Sequence, residues 1–568
     1  MKKTIVFALA LCAVIYFLGW HLQPFESRFF SFHDDTQVGR IKEFAFSLQN
    51  LQIPPRMAPH FSFGMGFPVF NFYAPFSYWV GSLIHIMGVP IVMAAKLSLF
   101  LALITAFIGM FLYISRIFSF IPALVASTVY VSSTWIATEI FARGNIGEVW
   151  FIALLPLVLF LLEVNGEKKS PFIFIFTTLT MSWLFTSHNV LSLVGIPLLI
   201  CYILLSKKTI KINLLSLGFA LLLVAYFFLP LIVETSLTYA KAQAERTPYQ
   251  DHFVCIQQIW SSPTWELGGS GAGCNDGMSF KLGKLHLILG SVGLFIFLLI
   301  TLFTKKKSQI TYKLGFIAVF GIGALFLMLE YSRPIWDLFQ FVLAPFQFPW
   351  RFNTFFLFTI SVFTGFAFYF VSKKINRNLV AILSLLTVAL LLFTARPYFR
   401  HPWRMTFDEY YHRYVSDSYI YSKIAYAIPE YLPRTADYDK WMGYRYQFLH
   451  AVDTSEYKPF LISDSEADIK YDTYTKTITT TKDDVVTVNT HYFPYWRLTL
   501  NTTKLTPNKF DELGRPIIKL SKGDTLTLEF KQTPVQQVGN TVTLISLLGL
   551  LLISINTRIW KKLKSISN

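Results

Sequence analysis

The chain has 568 residues, of which 54% are hydrophobic, 17% are aromatic and only 15% are charged. Soluble proteins average about 25% charged residues, so this composition excludes an all-soluble enzyme, a disordered chain and a fibrous repeat. The net charge is +17, but the Lys and Arg residues lie mostly in short clusters beside apolar runs. That arrangement is typical of membrane proteins. We therefore expect an α-helical polytopic membrane protein that binds no nucleic acid.

A membrane-spanning helix needs about 20 mostly apolar residues, and the sequence contains about twelve runs of this kind. The first run follows Lys2 and Lys3, as the apolar core of a signal peptide would. No small-x-small cleavage site follows it, and the bulky Leu11 precedes Cys12, so we predict an uncleaved anchor. The predicted spans are at about 4–20, 89–112, 119–138, 149–164, 171–187, 190–206, 213–233, 284–304, 312–330, 352–372, 378–395 and 539–557.

Basic clusters predict the orientation, because cytoplasmic loops carry the excess of Lys and Arg. If about twelve spans alternate, every cluster falls on one side, so both termini are predicted to be cytoplasmic in a multi-pass plasma (inner) membrane protein. The connections 21–88, 234–283, 331–351 and 396–538 are then extracytoplasmic. The clusters are Lys2–Lys3, Arg116, Lys168–Lys169, Lys207–Lys211, Lys305–Lys307, Lys373–Arg377 and Arg558–Lys564.

Three domains are predicted: a transmembrane domain at 1–395, an extracytoplasmic domain at 396–538, and a final span with a basic tail at 539–568. From about 468 to 533 the sequence is rich in Thr and alternates in the manner of strands, with Gly, Pro and Asn between the segments, which predicts a small antiparallel sandwich. Residues 401–450 are rich in Tyr and Trp, and we expect them to be helical or irregular against the membrane surface. A lid or support is favoured over acceptor recognition by exposed aromatic residues.

The chain has four cysteines. Cys12 and Cys201 fall in apolar runs, where a cysteine acts as a small hydrophobic residue. Cys255 and Cys274 share one predicted outer loop, and an oxidising exterior permits a disulfide between them.

The outer loop 21–88 carries His33, Asp34 and Asp35, followed by Arg40. Adjacent carboxylates raise each other's pKa, so one of them is a candidate general base. His33 beside them would complete a proton relay or a divalent metal site with both aspartates. The same residues also fit a purely structural role, that of an acidic helix cap. The residues alone leave the structural and the catalytic interpretation open.

Further polar residues lie at the predicted outer ends of spans. Arg143 and Glu148 flank one span, where they would pair with each other or Arg143 would hold a phosphate. His188 lies between two spans, and Glu234 ends another. Arg351 follows a Trp, which also fits ordinary anchoring at the membrane interface. All these groups fall on one side, at the depth where a lipid-linked substrate places its phosphate.

Several outer motifs occur together in one known family. They are His33-Asp34-Asp35-Thr36-Gln37, Pro54-Pro55-Arg56, the run from Gly64 to Tyr73, the run from Arg143 to Glu148, Ser187-His188-Asn189 and the run from Gln347 to Arg351. This set resembles the bacterial membrane proteins labelled "6-pyruvoyl-tetrahydropterin synthase-related", a family that looks like a branch of the GT-C type glycosyltransferases. The run from Tyr492 to Arg497 is similar to a strand of the related YfhO-like proteins.

The resemblance implies a GT-C-like fold and transfer of a sugar from a polyprenyl-phosphate-linked donor to an extracytoplasmic glycan or protein, with inversion. The catalytic acid of such enzymes lies just after the first span, where Asp34 or Asp35 stands, and Asp34 is the first choice. The leaving phosphate would be held by Arg143 and Arg351, with Arg56 behind them. GT-C enzymes often, but not always, depend on a divalent metal, so the resemblance leaves a divalent metal open as a cofactor. The remaining candidates for substrate binding are Arg40, Glu148, His188 and Glu234.

Two alternatives belong to other functional classes. A transporter or flippase of a lipid-linked precursor would carry ionisable or helix-breaking positions near the middle of several spans. The charges here gather in the outer loops instead, which favours the transferase. A catalytically inactive scaffold of the same family is the second alternative.

Overall fold

The structure is a computed structural model, which describes residues 2–168, 170–240, 247–261, 268–274, 276–305, 307–422, 429–449, 461–462 and 468–555. The described chain is mostly helical, with a β domain near its C-terminal end. The basic tail predicted at 558–564 lies outside the described residues, and the domain limits given above stay predictions. The helices of six or more residues are Lys2–Phe17, Gln37–Gln49, Phe76–Ile86, Ile91–Ile117, Phe120–Ser132, Ile146–Lys168, Pro171–Phe185, Asn189–Leu204, Ile210–Leu223, Ala225–Glu234, Lys284–Phe303, Gln309–Met328, Arg333–Leu338, Asn353–Ser372, Arg377–Ala395, Phe407–Tyr414, Asp417–Ser422, Tyr438–Leu449 and Pro534–Ile555.

Seven of the helices in the described part of the chain are long and apolar enough to cross a membrane, and two bent pairs raise this number to nine. Three further apolar helices, Lys3–Phe17, Pro171–Phe185 and Asn189–Leu204, are shorter. At 1.5 Å per residue, 15 or 16 residues reach only about 23 Å, less than the roughly 30 Å of a hydrocarbon core. The prediction of a polytopic helical protein is confirmed, while the total of about twelve spans stays a prediction.

The spanning helices differ in how deeply they are buried. The helices Ile146–Lys168 and Asn353–Ser372 lie at the centre, with 83% and 72% of their apolar windows buried. Lys284–Phe303, Arg377–Ala395 and Pro534–Ile555 are only 22–28% buried. They expose Leu, Ile and Phe side chains along their length. These peripheral faces suit contact with lipid, since lipid tails are as apolar as the side chains themselves.

One of the spans is broken into two helices. The helix Phe120–Ser132 ends at Ser133, whose extended backbone starts a new helix and whose hydroxyl accepts a hydrogen bond from the Trp135 amide at 3.3 Å. The two helices meet at 43°. The second continues as a π-helical turn, Thr138–Arg143. A π turn is commonly found at functional sites, and here it brings Arg143 to the end of the span.

The β domain consists of two antiparallel sheets, with strand order β4-β5-β10-β7-β8 in one and β3-β6-β9 in the other. Strand β10 alternates buried and partly exposed residues, so that Leu526 and Leu528 point into the core. The predicted β-rich domain is confirmed. The strands are β1 Arg28–Phe30, β2 Arg404–Thr406, β3 Leu461–Ile462, β4 Asp468–Asp472, β5 Thr475–Thr479, β6 Asp484–Val488, β7 Trp496–Leu500, β8 Thr503–Leu505, β9 Ile517–Leu520 and β10 Thr525–Phe530.

The first outer loop is attached to the C-terminal domain. Strand β1 pairs with β2 in antiparallel register. Further along the loop, the Met65 carbonyl accepts a hydrogen bond from the His491 amide at 3.0 Å, and Ser47 Oγ accepts one from the Tyr474 hydroxyl at 3.0 Å. Trp441 is fully buried there rather than exposed. The domain therefore supports the loop that carries the candidate acids.

The predicted disulfide is confirmed. Cys255 and Cys274 are bonded, with their Cα atoms 5.6 Å apart. Cys12 and Cys201 are free and exposed on apolar helices.

Candidate active site

The acidic turn at residues 33–35 is fixed by main-chain hydrogen bonds. The amide nitrogens of His33 and Asp34 donate to the carbonyl oxygens of Ala142 and Arg143, each at 2.9 Å. The helix that follows begins at Gln37, and no side chain caps it. Neither aspartate is therefore a helix cap, and the turn is positioned by its contact with the second outer turn.

The two adjacent aspartates have different surroundings. Asp34 is 29% exposed, and its Oδ1 lies 3.2 Å from His33 Nδ1. Asp35 Oδ2 instead accepts a hydrogen bond from the Tyr419 hydroxyl at 2.7 Å. Burial raises the pKa of Asp34, but the His33 hydrogen bond and the charge of Arg143 outweigh it and lower that pKa. Burial and the neighbouring Asp34 charge raise the pKa of Asp35. Asp34 is thus the carboxylate that is more firmly ionised at neutral pH.

Arg40 is a buried cation on the helix Gln37–Gln49. One of its guanidinium nitrogens donates to the Tyr78 hydroxyl at 3.1 Å, and its guanidinium carbon lies 4.6 Å from the centre of the Tyr73 ring. Arg40 is 5% exposed. Within the described residues its Nε has no hydrogen-bond partner, and no carboxylate oxygen lies within 4.0 Å of the guanidinium. A buried charge is costly unless it is paired, so Arg40 is a candidate for binding an anionic ligand.

Two glycines explain the local structure of the turn from Arg143 to Glu148. Gly144 has φ +66, and a side chain there would meet the Phe32 ring at 2.1 Å. A side chain at Gly147 would lie 2.6 Å from the Ser187 carbonyl oxygen. Between them, Asn145 Oδ1 accepts a hydrogen bond from the Glu148 amide at 3.1 Å, which caps the helix that follows. The turn is therefore packed closely between the acidic turn and the segment containing His188.

Glu148 joins the two candidate arginines. Its Oε1 lies 3.0 Å from Arg143 Nη1 and 3.1 Å from Arg351 Nε. Arg143 also pairs with Glu139 at 2.7 Å. Two arginines and two glutamates thus neutralise each other in a buried cluster, where breaking one pair would leave an uncompensated charge. The expected pairing of Arg143 with Glu148 is found.

His188 completes the cluster as a neutral ring. Its Nδ1 accepts a hydrogen bond from the Leu191 amide at 3.3 Å, which places the ring proton on Nε2. That nitrogen lies 3.4 Å from Glu148 Oε1 and can donate to it. Burial lowers the pKa of His188 to about 3, so the ring stays neutral at physiological pH.

A cavity of about 430 Å³ collects most of the predicted site residues. Six of the predicted residues line it: His33, Asp34, Arg40, Arg143, His188 and Arg351. Asp35 and Glu148 do not line it. The other lining residues are Tyr73, Asn145, Asn189, Val190, Thr247, His252, Gly268, Gly269, Ser270, Met278, Gln347, Phe348, Trp350, Glu430 and Tyr431.

Two of the predicted residues lie elsewhere. Arg56 donates to the Tyr226 carbonyl and to Asn540, both at 2.8 Å. Glu234 accepts hydrogen bonds from Asn71 at 2.6 Å and from Gln536 at 3.0 Å. This second buried network ties the helix Pro534–Ile555 to the first outer loop. Neither Arg56 nor Glu234 lines the cavity of Asp34, so the structure does not bring them together with the other candidates, and their role in substrate binding stays a prediction.

The family model described as "6-pyruvoyl-tetrahydropterin synthase related domain; membrane protein" matches residues 70–402. That range is more than half of the chain. The chain belongs to this family of membrane proteins. The matched range includes the buried cluster of Arg143, Glu148 and Arg351, while Asp34 and Arg40 precede it.

The chain is also similar to solved structures of glycosyltransferases, at low sequence identity. The apo oligosaccharyltransferase of Archaeoglobus fulgidus is 11% identical, with TM-score 0.47, over 74% of this chain and 59% of that one. The same enzyme tethered to an acceptor peptide containing the NVT sequon is 12% identical, with TM-score 0.45, over 71% of this chain and 56% of that one. The arabinofuranosyltransferase AftD from Mycobacteria is 12% identical, with TM-score 0.45, over 71% of this chain and 27% of that one. The chain therefore spans less than two thirds of each of these proteins. No curated protein sequence matches it.

Sequence reasoning missed two acidic residues of this family member. Glu139 directly follows the predicted span 119–138, and no motif indicates its pairing with Arg143. Glu430 lies on the short helical turn Pro429–Tyr431 and lines the cavity. Burial raises the pKa of Glu430 to about 7. An isolated Glu in a Tyr-rich segment gave no hint of this, because only the fold brings residues 430 and 34 to one cavity.

The expected metal ligands do not form a ligand set. His33 contacts Asp34, whereas Asp35 turns to Tyr419. No group of three His, Cys, Asp or Glu side chains arranged to hold a metal ion occurs in the part of the chain that the structure describes. We therefore derive no chemical step from a metal, and the divalent metal stays a prediction for a binding measurement.

Proposed function

We propose that this protein is a membrane glycosyltransferase. It would transfer a sugar from a polyprenyl-phosphate-linked donor to a glycan or protein acceptor on the extracytoplasmic side, with inversion at the anomeric carbon. The donor tail would lie in the bilayer and its phosphate at the cavity. Family membership supports a membrane location, and the resemblance of the outer motifs to GT-C type enzymes supports the reaction.

One observation carries the proposal: an ionised carboxylate and an unpaired buried guanidinium line the same cavity. Asp34 is the carboxylate, and Arg40 is the guanidinium. Glycosyl transfer from a lipid phosphate needs both, because a proton must leave the acceptor while negative charge develops on the leaving phosphate. That the candidate base and the candidate anion-binding group line one cavity supports the proposal.

The reaction would proceed as a single displacement. The Asp34 carboxylate accepts the proton of an acceptor hydroxyl as its oxygen bonds to the anomeric carbon. The bond from that carbon to the phosphate oxygen breaks, and the polyprenyl phosphate leaves with the electron pair. Arg40 would hold the phosphate by charge-assisted hydrogen bonds. One displacement inverts the anomeric configuration.

Arg143 and Arg351 have a different role in this proposal from the one expected from the motifs. Their charges are already balanced by Glu139 and Glu148, so they are weaker partners for a phosphate than Arg40. The Asp34 amide donates a hydrogen bond to the Arg143 carbonyl. Through this hydrogen bond, the balanced cluster would position the base.

The test compares Asp34→Asn with Asp35→Asn in the full-length protein reconstituted into proteoliposomes. The probes are radiolabelled polyprenyl-phosphate hexoses and pentoses, and the readout is release of polyprenyl phosphate. Loss of a general base typically lowers the rate by about 10²- to 10⁴-fold, and we expect this for Asp34→Asn. Asp35→Asn, which keeps a hydrogen-bond acceptor for Tyr419, should retain much more activity.

Equal activity of Asp34→Asn and the wild-type protein would contradict the catalytic assignment. Movement of the intact lipid-linked sugar across the vesicle membrane, without transfer, would instead favour the transporter or flippase. Absence of both activities with every donor would favour the inactive scaffold.

A further inference from the structure

A second cavity, of about 510 Å³, lies at one end of the membrane domain. It is formed where the helices Lys2–Phe17 and Arg377–Ala395 end and the chain enters strands β1 and β2. None of its lining residues lines the cavity of Asp34. This basic cavity, as we call it, plays no part in the proposed transfer reaction.

The basic cavity carries an excess of positive charge. Arg396, Arg400 and Arg404 line it together with one carboxylate, Glu26. Glu26 pairs with Arg404 at 3.3 Å. Among the described residues, no carboxylate lies within ion-pair distance of Arg396 or Arg400. Two guanidinium groups therefore remain for an anion, and the planar guanidinium matches phosphate oxygens well.

His21 helps to orient one of these arginines. Its Nδ1 lies 3.0 Å from a guanidinium nitrogen of Arg404. Burial lowers the pKa of His21 to about 4, so the ring is neutral and accepts a hydrogen bond from Arg404. The ring thus adds no charge of its own, and the cavity has two more arginines than carboxylates.

Exposed aromatic side chains around the basic cavity are of the type that lies at the level of lipid headgroups. Tyr16 and Trp20 line it and are each 49% exposed, and such aromatic residues mark the membrane interface. The guanidinium carbon of Arg396 lies 5.6 Å from the Tyr16 ring centre. Immediately before it, the helix Arg377–Ala395 exposes Leu390 and Phe393 to its surroundings. A lipid beside these helices would bring its phosphate to the arginines.

We propose that the basic cavity binds the headgroup of an anionic phospholipid. The phosphate would lie against Arg396 and Arg400, and the acyl chains would run along the exposed faces of the helices Lys2–Phe17 and Arg377–Ala395. An interfacial arginine alone only anchors a helix. Here two arginines without counter-charges lie beside a third arginine, which Glu26 and His21 hold, around one open cavity, and this combination suits an anion.

The experiment is native mass spectrometry of the full-length protein in detergent, with phosphatidylglycerol, phosphatidylcholine or inorganic phosphate added. Wild-type protein should retain phosphatidylglycerol roughly tenfold better than phosphatidylcholine, because each basic residue near an anionic lipid adds to its attraction. The double variant Arg396→Gln/Arg400→Gln should lose this preference. The control Arg497→Gln/Lys504→Gln removes two exposed charges from strands β7 and β8 and should keep it.

Three results would overturn the proposal. Unchanged retention in the Arg396/Arg400 variant would show that these arginines do not bind the lipid. Equal loss in the control would show a general effect of net charge. Displacement of phosphatidylglycerol by inorganic phosphate would identify a site for a free anion. If the double variant does not fold, Arg400→Gln alone serves, because Arg400 is exposed; a partial loss is expected, and no loss counts against the site.

Discussion

The amide nitrogen of Asp34 donates a hydrogen bond of 2.9 Å to the carbonyl oxygen of Arg143. The bond joins the first outer loop to the turn after a broken span, and the Arg143 side chain continues into the buried ion-pair cluster around Glu148. The main chain therefore connects the candidate base directly to the cluster. A change that shifts this turn should affect the site even when it touches no charged group.

The substitution Gly144→Ala tests this relationship. The new methyl group would lie about where the Phe32 ring is now, and φ +66 is strained for any residue with a side chain. We expect a loss of about 1–3 kcal/mol in the free energy of unfolding together with a fall in transfer activity. Thermal unfolding in detergent measures the first. The control is Gly218→Ala, where the added atom meets nothing within 4 Å; equal stability of the two variants would contradict the packing argument.

Arg40 should control donor binding. Arg40→Gln removes the unpaired charge, and charge-assisted hydrogen bonds contribute about 1.5–3 kcal/mol, so KM for the lipid-linked donor should rise roughly 10- to 100-fold. Arg40→Lys should recover part of this loss, because it restores the charge without the planar fork. Initial rates at varied donor concentration give the result. An unchanged KM in Arg40→Gln would remove Arg40 from the phosphate site.

Glu430 should make donor binding depend on pH. Its pKa is raised from 4.5 to about 7 by burial, so the folded protein holds a proton there that the unfolded chain has lost. This group's contribution to stability is therefore present at low pH and declines as pH rises from 4.5 to about 7. Above that value the carboxylate would repel the donor phosphate in the same cavity.

The variant Glu430→Gln keeps the neutral form at every pH. We expect KM for the donor to rise between about pH 6 and about pH 8 in the wild-type protein and to stay nearly flat in Glu430→Gln. The Asp35→Asn variant is the matched control, since Asp35 does not line the cavity. A wild-type profile that persists in Glu430→Gln would assign the pH dependence to another group.

The predicted orientation can be tested with reporters. A reporter fused after Lys208 should report the cytoplasm, because this basic loop follows an apolar helix. A reporter inserted at Asn501, in the exposed turn between β7 and β8, should report the opposite side. Alkaline phosphatase and green fluorescent protein fusions give complementary readouts. The same side for both positions would contradict the topology and with it the extracytoplasmic reaction.

The sequence by itself determined which segments suit lipid and which suit water. Long apolar runs predicted the membrane helices, because lipid accepts only apolar side chains and a backbone whose hydrogen bonds are satisfied within the helix. Alternation at 525–530 predicted a strand, and the pair Cys255 and Cys274 predicted the disulfide. These properties depend on the local pattern of side chains, so they can be read along the chain.

Only the tertiary structure decided how the charges combine. It turned Asp34 to the cavity and Asp35 to Tyr419, and it neutralised Arg143 with glutamates while leaving Arg40 unpaired. It also brought in Glu430, which no motif marks. The energy of a charge depends on its distance from other charges and on its burial. Both are set by segments far apart in the sequence, so the local pattern cannot fix them.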